Sequence, residues 1–142
     1  MTINEQQDAI ISDFEMFTDW MDKYEYIIQL GKDLPALDEQ YKVDDNLIRG
    51  CQSKVWLHAD YKDGKLFFSA DSDALITKGL VSLVIQALDG QPAKDIATAE
   101  LYFVEKIGLK SHLSPTRSNG LLAMIKQIKM YAVAYQLKSS QN

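Results

Sequence analysis

Between Val55 and Ala70 the apolar residues change their period, and this restricts the fold more than any other feature of the chain. Val55, Leu57 and Ala59 alternate with Trp56, His58 and Asp60. Leu66, Phe68 and Ala70 alternate with Phe67, Ser69 and Asp71. A spacing of two puts each apolar set on one face of a strand. Asp63-Gly64 lies between the runs, and that pair tolerates the positive φ of a tight hairpin turn. Two antiparallel strands are expected, with Leu47 and Ile48 able to supply a third short one.

On both sides of the hairpin the period is helical. Ile10, Phe14 and Phe17 share one face, and Met21, Tyr24 and Ile28 repeat the pattern. Asp19 suits the N-cap between these runs. Gly31 weakens the second run, and Pro35 should stop it. Residues 33–46, "DLPALDEQYKVDDN", read as an irregular acidic connector. After the hairpin, Ile76, Leu80, Leu83, Val84 and Ala87 predict a helix closed at Gly90. Pro92 can open a short helix, and another small helical segment runs from Leu101 to Lys106 and closes at Gly108. Ser114-Pro115 starts the longest helix, with Leu121, Ile125, Ile128, Ala132 and Tyr135 as its stripe. The tail from Lys138 to Asn142 is expected to fray. Helices, antiparallel strands, then helices make an α+β fold, a small antiparallel sheet with helices on one face. The order is not the alternating one of a nucleotide-binding domain.

With 46% hydrophobic residues in 142, the chain suits one domain, 1–142, that folds without disulfides or metal. A net charge of -5 argues against a nucleic-acid partner. No apolar run approaches the roughly 18–20 residues of a membrane span, and "MTINEQQDAI" is not a secretory signal. The expected location is cytoplasmic. One cysteine and two histidines, His58 and His112, are too few for a zinc site without carboxylates. No glycine-rich phosphate cradle is present. No cofactor is expected.

The chemistry then centres on Cys51, in "RGCQS". A lone free cysteine is commonly a small buried hydrophobe. Here Gly50 precedes it, Gln52 and Ser53 follow it, and it falls on a loop just before a strand. Loops on rigid scaffolds carry reactive groups. A thiol with a pKa of about 8.5 needs help from a cation or a helix N-terminus to ionise at neutral pH. Arg117, in "SPTRSNG" where the last helix begins, is one such cation. His58 or His112 could pair with Cys51 as a base. The triplet Asp71-Ser72-Asp73 reads as a strand end and helix N-cap, or as a patch that meets a basic partner. Trp56, Phe67 and Phe68 read as core.

Four segments carry a resemblance: "YEYIIQLGKDLPAL" (24–37), "GCQSKVWL" (50–57), "DSDALITKGL" (71–80) and "HLSPTRSNGLLAMI" (112–125). In order and spacing they resemble SufE, the sulfur-acceptor family of iron–sulfur cluster assembly, over nearly all of residues 20–130. The resemblance implies a SufE/IscU-like α+β fold. It implies a protein that takes persulfide sulfur from a cysteine desulfurase (SufS), stimulates that enzyme, and delivers the sulfur to the SufBCD scaffold. Such a protein is a carrier rather than a metabolic enzyme. Cys51 would be the persulfide acceptor and Arg117 an anion stabiliser, while Gly50, Gln52, Ser53 and Asp73 would meet the partner. The CsdE-like relatives, which serve a different desulfurase, have "GCEN" where this chain has Gly50-Cys51-Gln52-Ser53. A Cys–His hydrolase and a binding module that carries no sulfur are the rivals from other classes. The free protein is left open between a monomer and a homodimer.

Overall fold

The computed structural model describes residues 1–140, with side chains through Lys138. Its elements are α1 (Ile3–Glu15), α2 (Trp20–Asp33), β1 (Val55–Lys62), β2 (Lys65–Ser72), α3 (Leu75–Leu88), β3 (Gln91–Pro92), α4 (Ala93–Thr98), α5 (Phe103–Lys106), α6 (Leu109–His112) and α7 (Pro115–Ser140). The hairpin forms as the alternation predicts. Val55 pairs with Ser72 and Lys62 with Lys65, around Asp63 at φ 54° and Gly64 at φ 81°. One face carries Val55, Leu57, Leu66, Phe68 and Ala70, all buried beneath helices. The α+β architecture is confirmed.

The third strand is not the one expected. Leu47 makes only an isolated bridge to Trp56, while Gln91 and Pro92 pair with Leu66 and Lys65. Gly90, at φ 73°, turns the chain out of α3 and onto this edge, where its N–H donates to Leu66 at 2.8 Å. Asp89 secures the same corner by accepting the Phe68 N–H at 2.7 Å.

α3 buries most of its surface and leaves only a narrow polar stripe, Lys78, Ser82 and Gln86, outside the core, as a central helix should. α2 crosses it through two glycines. A Cβ on Gly79 would lie 2.0 Å from the Ile27 carbonyl oxygen, and one on Gly31 would lie 2.7 Å from the Gly79 nitrogen. Gly31 is therefore a contact residue rather than a weak point. It also shifts the buried stripe of α2 to Ile27 and Gly31, leaving Met21 at 59% exposure. Asp19 caps α2 through the Met21 N–H, and Leu34 ends it ahead of Pro35. The connector makes two short 3-10 turns, Glu39–Tyr41 and Asp44–Asn46.

On the outer sheet face Trp56 is half-buried under Lys42, whose ammonium stands 5.8 Å from the ring, and Phe67 is exposed; only Phe68 is core. The segment after α4 divides at Gly108 into α5 and α6, so His112 lies on a helical turn rather than in a loop. α7 buries Leu121, Met124, Ile128 and Ala132, with Ile125 and Tyr135 at the margin. It continues through Ser140, so Lys138 to Ser140 are helical instead of frayed. Gln141 and Asn142, the end of the expected tail, lie outside the described residues.

Candidate functional site

Cys51 sits at the tip of a loop clamped at both ends. Upstream, the Ile48 N–H donates to the Val55 carbonyl at 2.9 Å. Downstream, the Lys54 N–H donates to the Asp73 carboxylate at 3.0 Å, and the Asp73 N–H returns to the Lys54 carbonyl at 3.2 Å. Residues 49–53 between the clamps contain no buried side chain. Gly50 turns the tip at φ 93°, and a Cβ there would meet Ala123 of α7 at 3.2 Å. Glycine answers both demands.

The triplet Asp71-Ser72-Asp73 is expected to supply the N-cap of α3, and this is corrected. The N-cap is Ala74, which offers no side-chain bond, because the Asp73 carboxylate is taken by the loop clamp. Asp71 is also diverted. Nearly buried on the outer sheet face, it holds Lys42 of the connector at 3.2 Å and Lys78 of α3 at 3.3 Å. Burial alone would raise its pKa. The Ser72 N–H and the two ammonium groups outweigh that and hold the carboxyl below its usual range.

The Cys51 side chain is half-buried. Its thiol donates to the Gly120 carbonyl of α7 at 3.4 Å. The sulfur lies close against this helix, where a Cβ on Gly120 would come into ordinary contact with it at 3.5 Å. Burial pushes the thiol pKa up. A bond that only a protonated thiol can donate acts in the same direction. The resting cysteine is thus a neutral, weakly reactive group.

Beside it opens a hollow of about 100 Å³, walled by the loop, the start of α3 and the first turns of α7. That is several times the roughly 10–15 Å³ one water requires. Ile76, Leu80 and Met124 supply apolar wall. Gln52, Ser53 and Arg117 border it, so three of the residues singled out in the sequence meet Cys51 at one place. Ser114 caps α7 through the Arg117 N–H at 3.3 Å, and the exposed guanidinium donates from Nη1 to the Tyr24 hydroxyl at 3.4 Å.

The histidines are not in this group. His58 Nε2 engages Asp60 at 3.0 Å and its ring stacks on Tyr41. His112 Nδ1 engages the Gly108 carbonyl at 2.9 Å and its ring stacks on Trp20. Neither borders the hollow. Among the described residues, no three His, Cys, Asp or Glu side chains gather where they could hold a metal ion, and no helix is long and apolar enough to cross a membrane. Sequence reasoning missed Gly120, Thr77 and Tyr24. The spacing of the last helix gave no cue to Gly120, and Thr77 read only as another position on a helix.

Fold and site together define a small α+β domain that holds one neutral thiol on a clamped loop, over a hollow with a cation at its rim. The chain belongs to the SufE family: the model of that family, described as an Fe-S metabolism associated domain, matches residues 8–132. It is 43% identical over 127 residues to a SufE-like protein of Rhizobium etli, covering 86% of each chain. It is 37% identical over 121 residues to the Arabidopsis thaliana "SufE-like protein 1, chloroplastic/mitochondrial", covering 84% of this chain and 33% of that one. The solution structure of a hypothetical protein from Thermus thermophilus shares the fold, with a TM-score of 0.75 at 17% identity over 91% of this chain and 94% of that one. The family places the chain in iron–sulfur metabolism as a sulfur acceptor, in general association with cysteine desulfurases.

Proposed function

We propose that Cys51 receives the outer sulfur of a persulfide carried on the cysteine of a desulfurase, and passes it to the SufBCD scaffold. The Cys51 thiolate attacks that outer sulfur. A new S–S bond forms on Cys51, the S–S bond on the donor breaks, and the desulfurase thiolate leaves. No external oxidant is needed, because one disulfide-type bond replaces another. Taking the product sulfur frees the donor cysteine and so stimulates the desulfurase. The observation that carries the reading is the half-buried thiol beside a hollow with room for one more sulfur.

Delivery requires the thiol to leave that shelter. At rest its side chain makes one hydrogen bond, from a thiol, which is a weak donor. With the clamps at residues 48 and 54 intact, three residues on either side give the tip a reach of about 10 Å. Gly50 is the hinge, Gln52 and Ser53 are the surface the partner reads, and Asp73 anchors the loop where the desulfurase docks. Arg117 stabilises the sulfur anion. The Gln52-Ser53 tip favours the SufE branch over the CsdE-like one. The engagement of His58 and His112 elsewhere weighs against a Cys–His hydrolase. The setting is the cytoplasm, where free thiols persist, and the protein acts as a monomer or homodimer.

The test is intact-mass spectrometry without reductant, after incubation with a partner desulfurase and free cysteine. Wild type gains sulfur. Cys51→Ser gains none and stimulates nothing. Stimulation that survives in Cys51→Ser would refute the carrier role in favour of a pure binding module.

A further inference from the structure

The hollow contains donors that the resting thiol does not use. Thr77 borders it and is only 8% exposed. Its hydroxyl makes no hydrogen bond to another described residue, whereas Thr98 of α4 bonds back to the Lys94 carbonyl at 3.1 Å. No side-chain oxygen or nitrogen of the described residues is both buried and unpaired, so this hydroxyl opens into the hollow and is free to donate to a ligand there. Thr77 is also the third residue of α3, which starts at the uncapped Ala74. The starts of α1 and α2 are capped by Thr2 and Asp19, and that of α7 by Ser114. The exposed N–H groups of a 14-residue helix favour an anion. Arg117 lines the same hollow, and no carboxylate does.

We propose that the α3 end of the hollow is an anion site for the outer sulfur of a Cys51 persulfide, with Thr77 as its hydroxyl donor. The inference rests on the carrier reading and adds the group that holds the cargo. The second sulfur lies about 2 Å beyond the first. A persulfide is more acidic than its parent thiol. Once ionised it has no proton for the Gly120 carbonyl, and it gains from a hydroxyl, from helix N–H groups and from the guanidinium. Loading therefore exchanges an acceptor for donors. The empty cysteine rests as a thiol and the loaded one as an anion. An attacking thiolate reacts with the protonated persulfide in preference to its anion, so the site slows premature discharge.

The experiment compares wild type with Thr77→Val, each loaded with inorganic polysulfide. There the Cys51 thiolate takes a terminal sulfur and a polysulfide shorter by one sulfur leaves. Glutathione then removes the outer sulfur as glutathione persulfide and returns the Cys51 thiolate, and intact mass follows the loss against pH. Thr77→Val should discharge about tenfold faster, with the pH at which discharge slows moved up by about one unit. The unloaded variant should melt within about 1 °C of wild type, because valine matches threonine in shape and the lost hydroxyl bonds no other described residue. Ala74→Asp, whose carboxylate caps α3 and repels the anion, should also melt no lower and discharge faster. Discharge at the wild-type rate and pH in both variants would overturn the proposal. So would faster discharge accompanied by a lower melting temperature, which assigns Thr77 to packing. A desulfurase arm separates the two readings. If the enzyme loads neither protein while polysulfide reproduces the difference, the desulfurase partnership fails and the anion site stands. If the enzyme loads both and they discharge alike, the partnership stands and the anion site fails.

Discussion

Gly79→Ala should destabilise the protein, although alanine is the better helix former. In an exposed helix interior the exchange would gain about 1 kcal/mol. Here the new Cβ would stand 2.0 Å from the Ile27 carbonyl oxygen, 2.6 Å from Ile27 Cγ2 and 2.7 Å from the Ile27 carbonyl carbon. Real Cβ contacts do not fall below 3.0 Å, so α2 and α3 must separate by about 1 Å at their crossing. Ile27 and Gly31, the buried residues of α2, both lie at this crossing, so the helix cannot move there without disturbing its best-packed point. Overpacking costs about 1–3 kcal/mol where side chains can adjust. Two backbones in contact cannot, so a net loss of about 2–3 kcal/mol is expected after the propensity gain. For a chain of this length that lowers the melting temperature by about 6–10 °C. Urea unfolding should show a lower midpoint at an unchanged slope. A midpoint at or above wild type would refute the steric reasoning. The hollow should suffer too, because Ile76, Thr77 and Leu80 are on α3.

Three further outcomes follow from the site. Alkylation of Cys51 by iodoacetamide should rise with pH around a midpoint above that of a free cysteine peptide, because burial raises the thiol pKa; a midpoint at or below the peptide's would refute the neutral resting thiol. Asp71 has a folded pKa below its unfolded one, so it stabilises the protein above about pH 4, the unfolded value, and this is lost as pH falls through the folded value. Asp71→Asn should therefore cost about 1–3 kcal/mol at neutral pH and flatten the acid limb of stability, read by urea midpoints from pH 7 to pH 3; parallel wild-type and variant curves would count against it. His58→Ala and His112→Ala should each leave sulfur loading of Cys51 within about twofold of wild type, an order of magnitude less than removal of a general base; loss of loading in either would revive a Cys–His mechanism.

The hairpin was legible because its alternation and its Asp-Gly turn point to the same register. The edge strand was not, because two residues, Gln91 and Pro92, cannot display a period. Gly31 was misjudged for a related reason. Helix propensity treats glycine as a loss, and only the opposite helix reveals a contact. At the site, Cys51, Gln52, Ser53 and Arg117 were visible as residue types in unusual company, and the hollow does bring them together. The cap expected from the Asp71–Asp73 triplet does not form, since a capping preference is local and the Lys54 N–H that claims the Asp73 carboxylate lies 19 residues away. Thr77 and Gly120 carried no signal of their own. A threonine in the first turn of a helix acquires meaning only when the cap before it is missing.

The two clamps also make the five residues between them a cassette. Residues 49–53 contribute no buried side chain, and the bonds that close the loop belong to Ile48, Lys54, Val55 and Asp73. Tips that keep Gly50 and Cys51 but carry other residues at 49, 52 and 53 can be exchanged on this frame without repacking its core. Selection can therefore retune which donor the thiol meets while the scaffold stays constant, and a designer can do the same by grafting.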